Sequence, residues 1–305
     1  MEFLVAGFEI IEQESGLEGI FKQAELPGRI CYGSQDKMAP GTAEKFVNGL
    51  MKSNHGAPLE HGSVYLKADD EYHGNPLDKY RDNPYSKLRS VNGTKYVSTN
   101  LRVLFENGWL KDLEDYLCEP TEYHEKRYTV RFTVDRFTGE EFLRHRKASF
   151  NRESTRYVLF TKEKFGGGSI KYIIPPWILD DKSEIEEYVE EDIDFYIDTM
   201  REHLQTKQPL DDIFAWTFAL KSAEWSYCYL VNECGWKAEQ ARTVLPCAIN
   251  SPLIMTAFLS DWKNFFNLRA KGTTGKPHPQ AFELAQPLME EFIERGYLEA
   301  SFLDE

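Results

Sequence analysis

Residues 127–135, RYTVRFTVD, alternate without a break. Tyr128, Val130, Phe132 and Val134 fall on one side of an extended chain, and Thr129, Arg131, Thr133 and Asp135 on the other. Side chains along a strand change face at every residue, so the segment predicts a half-buried strand whose apolar face rests on a core. A sheet must therefore run through the middle of the chain, and other elements must cover it.

The neighbouring segments fill in that frame. Residues 54–61, NHGAPLEH, are turn-rich and lead into a strand start at 63–66. Residues 69–95 are polar, with two Asn-Pro steps, and predict a surface excursion, either an insertion or a lid. A short strand and a helix are expected over 97–117, and another strand over 154–160, STRYVLF. Gly166-Gly167-Gly168 reads as a hinge, and Tyr172–Ile174 as a strand stopped by Pro175-Pro176. Beyond these prolines the period becomes helical. Helices are expected over 181–204, with Ser183 and Glu186 as a capping box, and over 210–234, ended by Gly235. Further helices are expected over 236–245, 250–270 and 279–296. The acidic run at 180–194 is most simply a solvated face. No linker composition divides the mixed front from the helical back, so one α+β domain over 1–305 is expected, a mixed sheet core with a helical C-terminal half.

Composition removes several classes. At 41% apolar and 14% aromatic the chain can build a large core. No run of 18 apolar residues occurs, so no membrane helix is expected. The first residues, MEFLVAGFEIIEQESG, lack the basic leader of a signal peptide. Five widely spaced cysteines suit neither a disulfide framework nor a zinc knuckle, and imply a reduced, cytoplasmic setting. The seven histidines make no HExxH or close pair, so no metal site is expected. GxSxG, Walker A and strand-linked GxGxxG patterns are missing. With 36 basic and 50 acidic residues the formal charge is −14, which argues against nucleic acid but not against one small anion pocket.

Against that acidic background stands EFLRHRKASFNRESTRY, 141–157. Arg144, Arg146, Lys147, Arg152 and Arg156 crowd five cations together, offset within the span only by Glu153. Crowded cations cost free energy unless anions meet them, and arginine forks suit phosphate or carboxylate bidentately. Ser149, Asn151, Ser154 and Thr155 add neutral donors. Two readings stand side by side: a phosphate-rich small-molecule site, or salt bridges to the acidic helices. In the helix expected over 250–270, Phe258, Trp262, Phe265, Phe266 and Arg269 fall on one stripe, since 11 residues return to within about 20° of the start. Arg269 on a core-facing stripe needs an anion or several acceptors, or else snorkels from the helix end. Arg242 stands similarly, and could simply pair with Glu239.

RHRKASFNRESTRY resembles the signature of the flavin-dependent thymidylate synthases, with Arg144-His145-Arg146, seven residues, then Ser154. NHGAPLEH is similar to that family's upstream His-x-Ser-Pro-x-Glu-His element. EQARTVLP (239–246), FFNLRA (265–270) and HPQAFELAQPL (278–288) resemble later elements in the same order, so the similarity runs from about Arg29 to Phe292. The resemblance implies conversion of dUMP to dTMP with the methylene of 5,10-methylenetetrahydrofolate, bound FAD as hydride source and NADPH as reductant. It also implies a mixed α/β fold and a homotetramer whose active sites are shared between subunits.

Carried over by position, Arg269 becomes the catalytic residue, set against the uracil and favouring its N3-ionised form. Glu141, Phe142, Leu143 and Arg144 fall on a dUMP-contacting stretch. Ser154, Thr155 and Arg156 would hold the phosphate with help from Arg242, and Arg152 and Glu153 lie within the same loop. Flavin contacts fall on His55, Ala57 and Glu60 upstream, on Arg144, His145, Arg146 and Arg152, and on Phe258, Leu259, Ser260 and Asn264. Four positions depart from the family pattern. Ala57 replaces a hydroxyl residue, Arg152 a Glu, Glu141 a Gln, and Phe258-Leu259-Ser260 an Asn-x-Arg. The last change removes one flavin-facing Arg and leaves Lys263 or Arg152 as candidate replacements. It also keeps open a second function, that of a catalytically impaired nucleotide- or flavin-binding regulatory protein.

Overall fold

The computed structural model describes residues 1–70, 74–162 and 169–303. The proposed hinge at 166–168 therefore lies outside the described residues. In chain order the strands and helices are β1 (Glu2–Val5), β2 (Gly7–Ile11), α1 (Gly16–Cys31), α2 (Thr42–Lys52), β3 (Ser63–Asp69), β4 (Lys87–Val91), β5 (Thr94–Asn100), α3 (Leu101–Asn107) and α4 (Asp112–Asp115). They continue as β6 (Arg127–Thr133), α5 (Arg136–Phe142), β7 (Ser149–Arg152), β8 (Lys171–Ile174), α6 (Lys182–Glu190), α7 (Ile193–Thr206), α8 (Asp212–Asn232), α9 (Ala238–Ala241), β9 (Leu253–Phe258), α10 (Leu259–Arg269) and α11 (Pro279–Glu294). Mixed helices and sheets are thus present, as expected. Among the described residues no helix is long and apolar enough to cross a membrane.

The alternating segment is β6, second in an antiparallel sheet of order β2-β6-β9-β7. Val130 and Phe132, with Leu253, Met255 and Ala257 of β9, form one face of the main core. Trp262, Phe265 and Phe266 of α10 and Leu284, Leu288 and Phe292 of α11 cover it. Each fully buried aromatic or leucine contributes about 2 kcal/mol, so α10 is held firmly against the sheet. The opposite face was expected to be open and is not. Thr129 and Thr256 are buried there under α1 and the 3-10 turn Ala57–His61. Polar side chains tolerate this because they satisfy one another. Thr256 Oγ1 lies 2.7 Å from both Thr129 Oγ1 and His61 Nδ1, and His61 Nε2 lies 3.3 Å from Asn151 Oδ1.

Three expectations about elements change. Residues 253–258 are a buried strand, not the first turns of a helix, and α10 begins only at Leu259. An apolar run such as LIMTAF carries no periodicity that separates strand from buried helix. Residues 154–160 form turns, with the Tyr157 and Val158 amides both donating to the Ser154 carbonyl. The β7–β9 ladder stops at Arg152 because Pro252, next on the facing strand, has no N–H to give. Ser183 lies inside α6, and the expected single helix breaks before Asp192, whose carboxylate caps α7 at 2.9 Å from the Phe195 amide.

A second core joins α1, α2, α3, β3 and β5. Its sheet, β3-β5-β4, includes the later part of the stretch read as an insertion or lid. Leu77 and Tyr80 are fully buried in it, and Asn92 and Gly93 turn the β4–β5 hairpin with positive φ values of 50° and 76°. A third cluster packs β8, paired in parallel with β1, against α8.

Candidate active site

Asp135 opens α5: its carboxylate accepts the Thr138 amide at 3.0 Å and the Gln280 amide group of α11 at 2.9 Å. The helix ends at Phe142, and a turn follows in which the His145 amide donates to the Phe142 carbonyl at 3.1 Å. Arg144 and Arg146 consequently stand exposed while His145 is buried against Phe265, ring centroids 5.0 Å apart. Arg269, the last residue of α10, reaches this turn. Its Nη1 donates to Glu141 Oε2 at 2.5 Å, its Nη2 to the Glu141 carbonyl at 3.0 Å, and its Nε to His145 Nε2 at 3.3 Å. Burial, and then the Arg269 charge, push the His145 pKa down to about 4, so the ring is neutral and can accept that bond. A guanidinium has five N–H donors, and two of Arg269's remain. Arg269 borders an open cleft of about 680 Å³ lined also by Glu140, Arg144, Lys276 and Gln280.

A ribbon of charge runs away from this cleft. Arg152 Nη2 pairs with Glu140 at 2.9 Å, while its buried Nη1 has no partner among the described residues. Arg136, one turn earlier on the same face of α5, feels the charges of Arg152 and Arg242. Burial first, and these charges next, hold its pKa below the usual arginine value. The Arg136 amide donates to the Cys247 carbonyl at 2.9 Å, which ties the segment after α9 to the start of α5. Arg242 Nη1 stands 3.5 Å from Thr155 Oγ1, and Arg156 Nε 3.0 Å from Glu239. Glu153 sits behind this loop, its carboxyl pushed up to about 7 by burial. The Ser154 amide donates to the Cys31 carbonyl at 3.2 Å. Both readings of the island hold in part. Arg152, Arg156 and Arg269 have carboxylate partners, while among the described residues Arg144, Arg146 and Arg242 have none.

On the other side of the turn at 144–148 lies a second concavity. Two hollows of about 260 and 270 Å³ share Tyr85, Asn100, Arg146, Lys147 and Ser149 and form one groove. Glu60 and Arg102 close one end, and Phe258, Arg127 and Asp261 the other. Glu60 is held by Arg102 Nη1 at 2.5 Å. Arg127 is only 9% exposed, and burial pushes its pKa down to about 10, so it remains charged at neutral pH. A groove with exposed cations and a buried guanidinium suits an anionic dinucleotide such as FAD.

The expected flavin contacts are thus divided. Glu60, Arg146 and Phe258 line the groove, whereas Arg144 faces the Arg269 cleft and His145 lies buried between the two. His55 is 3.0 Å from the Tyr32 hydroxyl, in the ring cluster of Tyr32 and Tyr157. Ala57 opens the 3-10 turn, Leu259 packs on the main core, Ser260 bonds Glu125 at 2.5 Å, and Asn264 is exposed. Phe142 is buried in the core and Leu143 packs beside it. Neither candidate replacement lines the groove: the Lys263 ammonium lies over the Phe302 ring, and Arg152 turns to Glu140. Arg127, Arg136, Tyr85 and His61 escaped the sequence reading. Two of them carried a signal: Arg127 as the cation opening the alternating strand, and His61 as the closing histidine of NHGAPLEH.

A family model described as thymidylate synthase complementing protein matches residues 120–295. The chain belongs to this family. The matched span holds every residue of the Arg269 cleft and of the charge ribbon, while Glu60, Tyr85 and Arg102 of the groove precede it. Among solved structures, the chain is similar to a UMP/dUMP methylase from Streptomyces cacaoi bound with 5-Br dUMP. That likeness has 17% identity, covers 96% of this chain and 93% of the other, and has a TM-score of 0.41. A thymidylate synthase X from Helicobacter pylori with FAD and dUMP is 14% identical, with 98% and 100% covered and a TM-score of 0.39. No curated protein matches the sequence significantly.

Proposed function

We propose that this member of the thymidylate synthase complementing family methylates dUMP to dTMP, with 5,10-methylenetetrahydrofolate as one-carbon donor, FAD as hydride carrier and NADPH as reductant. The observation that carries the reading is the Arg269 guanidinium, oriented by Glu141 and His145 in the wall of a cleft whose Glu140 pairs with Arg152 of the charge ribbon. The pyrimidine lies against Arg269, whose charge stabilises the ring anion and makes C5 a better nucleophile. Glu141 and the neutral His145 hold the guanidinium in place, so little reorganisation accompanies the reaction. The 5′-phosphate sits with Arg242, Thr155, Ser154 and Arg156, Arg156 giving up its exposed pairing with Glu239. Among the described residues no base is bonded to the Ser154 hydroxyl, which instead accepts the Arg156 amide at 3.3 Å, and it acts as a phosphate ligand, not a nucleophile. Arg146, Glu60 and Phe258 hold the flavin in the groove. When bound, the flavin supplies the hydride that turns the transferred methylene into a methyl group. The functional unit is a single-domain chain in a homotetramer with shared sites.

Flavin uptake, read from visible absorbance of the purified protein, and tritium release from C5-labelled dUMP with methylenetetrahydrofolate and NADPH test the proposal. Both are expected, and absence of both overturns it. The pairing of Arg152, Arg156 and Arg269 with the chain's own carboxylates favours one competitor, a non-catalytic nucleotide-binding protein. That reading predicts dUMP binding without tritium release.

A further inference from the structure

Arg127 is an unusual group to bury. Its Nη1 donates to Ser63 Oγ at 3.2 Å, and its Nη2 to the Glu60 carbonyl at 2.9 Å and to Ser149 Oγ at 3.3 Å. These acceptors are all neutral. Among the described residues its buried Nε has no partner and no carboxylate lies within ion-pair distance. A buried cation without a counter-ion is costly, and the cost is relieved when an anion arrives. The β6–β9 register sets Arg127 opposite Phe258, with its guanidinium carbon 5.4 Å from that ring. Lys87 Nζ, from β4, is 5.5 Å from the same ring. Both residues line the groove beside Arg146 and Lys147. Three carboxylates temper this field: Glu60 and Asp261 in the groove wall, whose charges act on Arg127, and Glu125, 4.0 Å from Lys87.

We propose that Arg127 and Lys87, gathered around the Phe258 ring, hold the diphosphate of the flavin dinucleotide. They would supply from β6 and β4 the positive charge that Ser260 cannot give from α10. The proposal rests on the flavin reading above, but it fails separately.

The test titrates FAD into the full-length protein by flavin fluorescence, at about 0.05 and about 0.3 M salt. The proteins compared are the unaltered chain, Arg127→Met, Arg127→Lys and Lys87→Met, each checked for its fold by circular dichroism. Arg127→Met is expected to weaken FAD binding about tenfold and to flatten its salt dependence, with Arg127→Lys losing less. Unchanged affinity in Arg127→Met overturns the proposal, as does a loss with the salt dependence intact, because that loss would come from packing. Should Arg127→Met fail to fold, Lys87→Met decides on the same criteria, since its side chain is 42% exposed. If the unaltered chain takes up no flavin, the flavin reading falls instead.

Discussion

His61 joins the upstream NHGAPLEH segment to the sheet that carries the motif, and its protonation offers a quantitative check on that joint. The ring is fully buried, bonded to Thr256 and Asn151, and burial followed by the Arg127 charge pushes its pKa from 6.5 down to about 3. A histidine whose folded pKa is lowered costs nothing above its unfolded value. Below that value the unfolded chain binds a proton that the folded chain refuses, so stability falls as pH drops from 6.5 toward 3. Between about pH 7.5 and about pH 5 this single group removes about 2 kcal/mol. His61→Gln lacks the titration at any pH. The variant starts less stable because it disturbs a buried network, and its deficit relative to the unaltered protein should shrink by about 2 kcal/mol at the lower pH. Urea unfolding of both proteins at the two pH values, followed by tryptophan fluorescence, measures this. The other shifted groups, His145 and Glu153 among them, are common to both proteins and cancel in the comparison. An equal deficit at the two pH values would refute the buried, neutral His61.

Other substitutions test the site more directly. Arg269→Ala should reduce tritium release by at least about a hundredfold while leaving the thermal midpoint nearly unchanged, and an active variant would displace Arg269 from its role. The same variant should let the His145 pKa rise from about 4 but not to its ordinary value, because burial is the larger cause; NMR titration of the ring reads this out. Arg242→Ala should weaken dUMP binding about tenfold by calorimetry and spare FAD binding, since Arg242 stands in the ribbon and not in the groove. Glu153→Gln should stabilise the protein. A carboxyl raised from 4.5 to about 7 costs stability progressively as pH climbs between those values, so the gain should grow over that window and level off above it.

Much of the fold was legible because local pattern and tertiary role agree. In β6 a strict alternation coincides with a core on one side, so Val130 and Phe132 announce their burial. Where both sides of an element are covered, pattern carries less. LIMTAF is buried throughout and reads equally as helix or strand. The polar face of β6 looks solvent-facing until Thr256 and His61, 127 and 68 positions away from Thr129, provide its hydrogen bonds. The site divides the same way. The density of cations in 144–156 is a local fact, and so was visible. Which of them find carboxylates is set by contacts such as Arg269 to Glu141, 128 residues apart, which no spacing rule reaches. The role of Arg127 stayed hidden because what distinguishes it, burial with no ion pair among the described residues, is a tertiary fact.

The paired arginines do not turn the ribbon into ordinary surface salt bridges, and the reason lies in where the carboxylates are. Glu140 and Glu141 are adjacent on one short helix, yet they answer different arginines, Arg152 and Arg269. Around them stand Arg136, Arg144, Arg242 and Lys276, for which the described residues provide no ion pair. Even with Asp135 counted at the start of α5, cations outnumber carboxylates along this ribbon, in a protein whose overall charge is −14. A structural network would be expected to balance, because like charges held together at partial burial raise the free energy of the folded state. The surplus is concentrated beside a cleft, where low-dielectric walls strengthen its field toward an incoming phosphate. Long-range repulsion from the acidic surface then acts mainly on the encounter rate, and the local surplus on the affinity. Raising the ionic strength should accordingly speed dUMP association by screening the surface while weakening the bound complex.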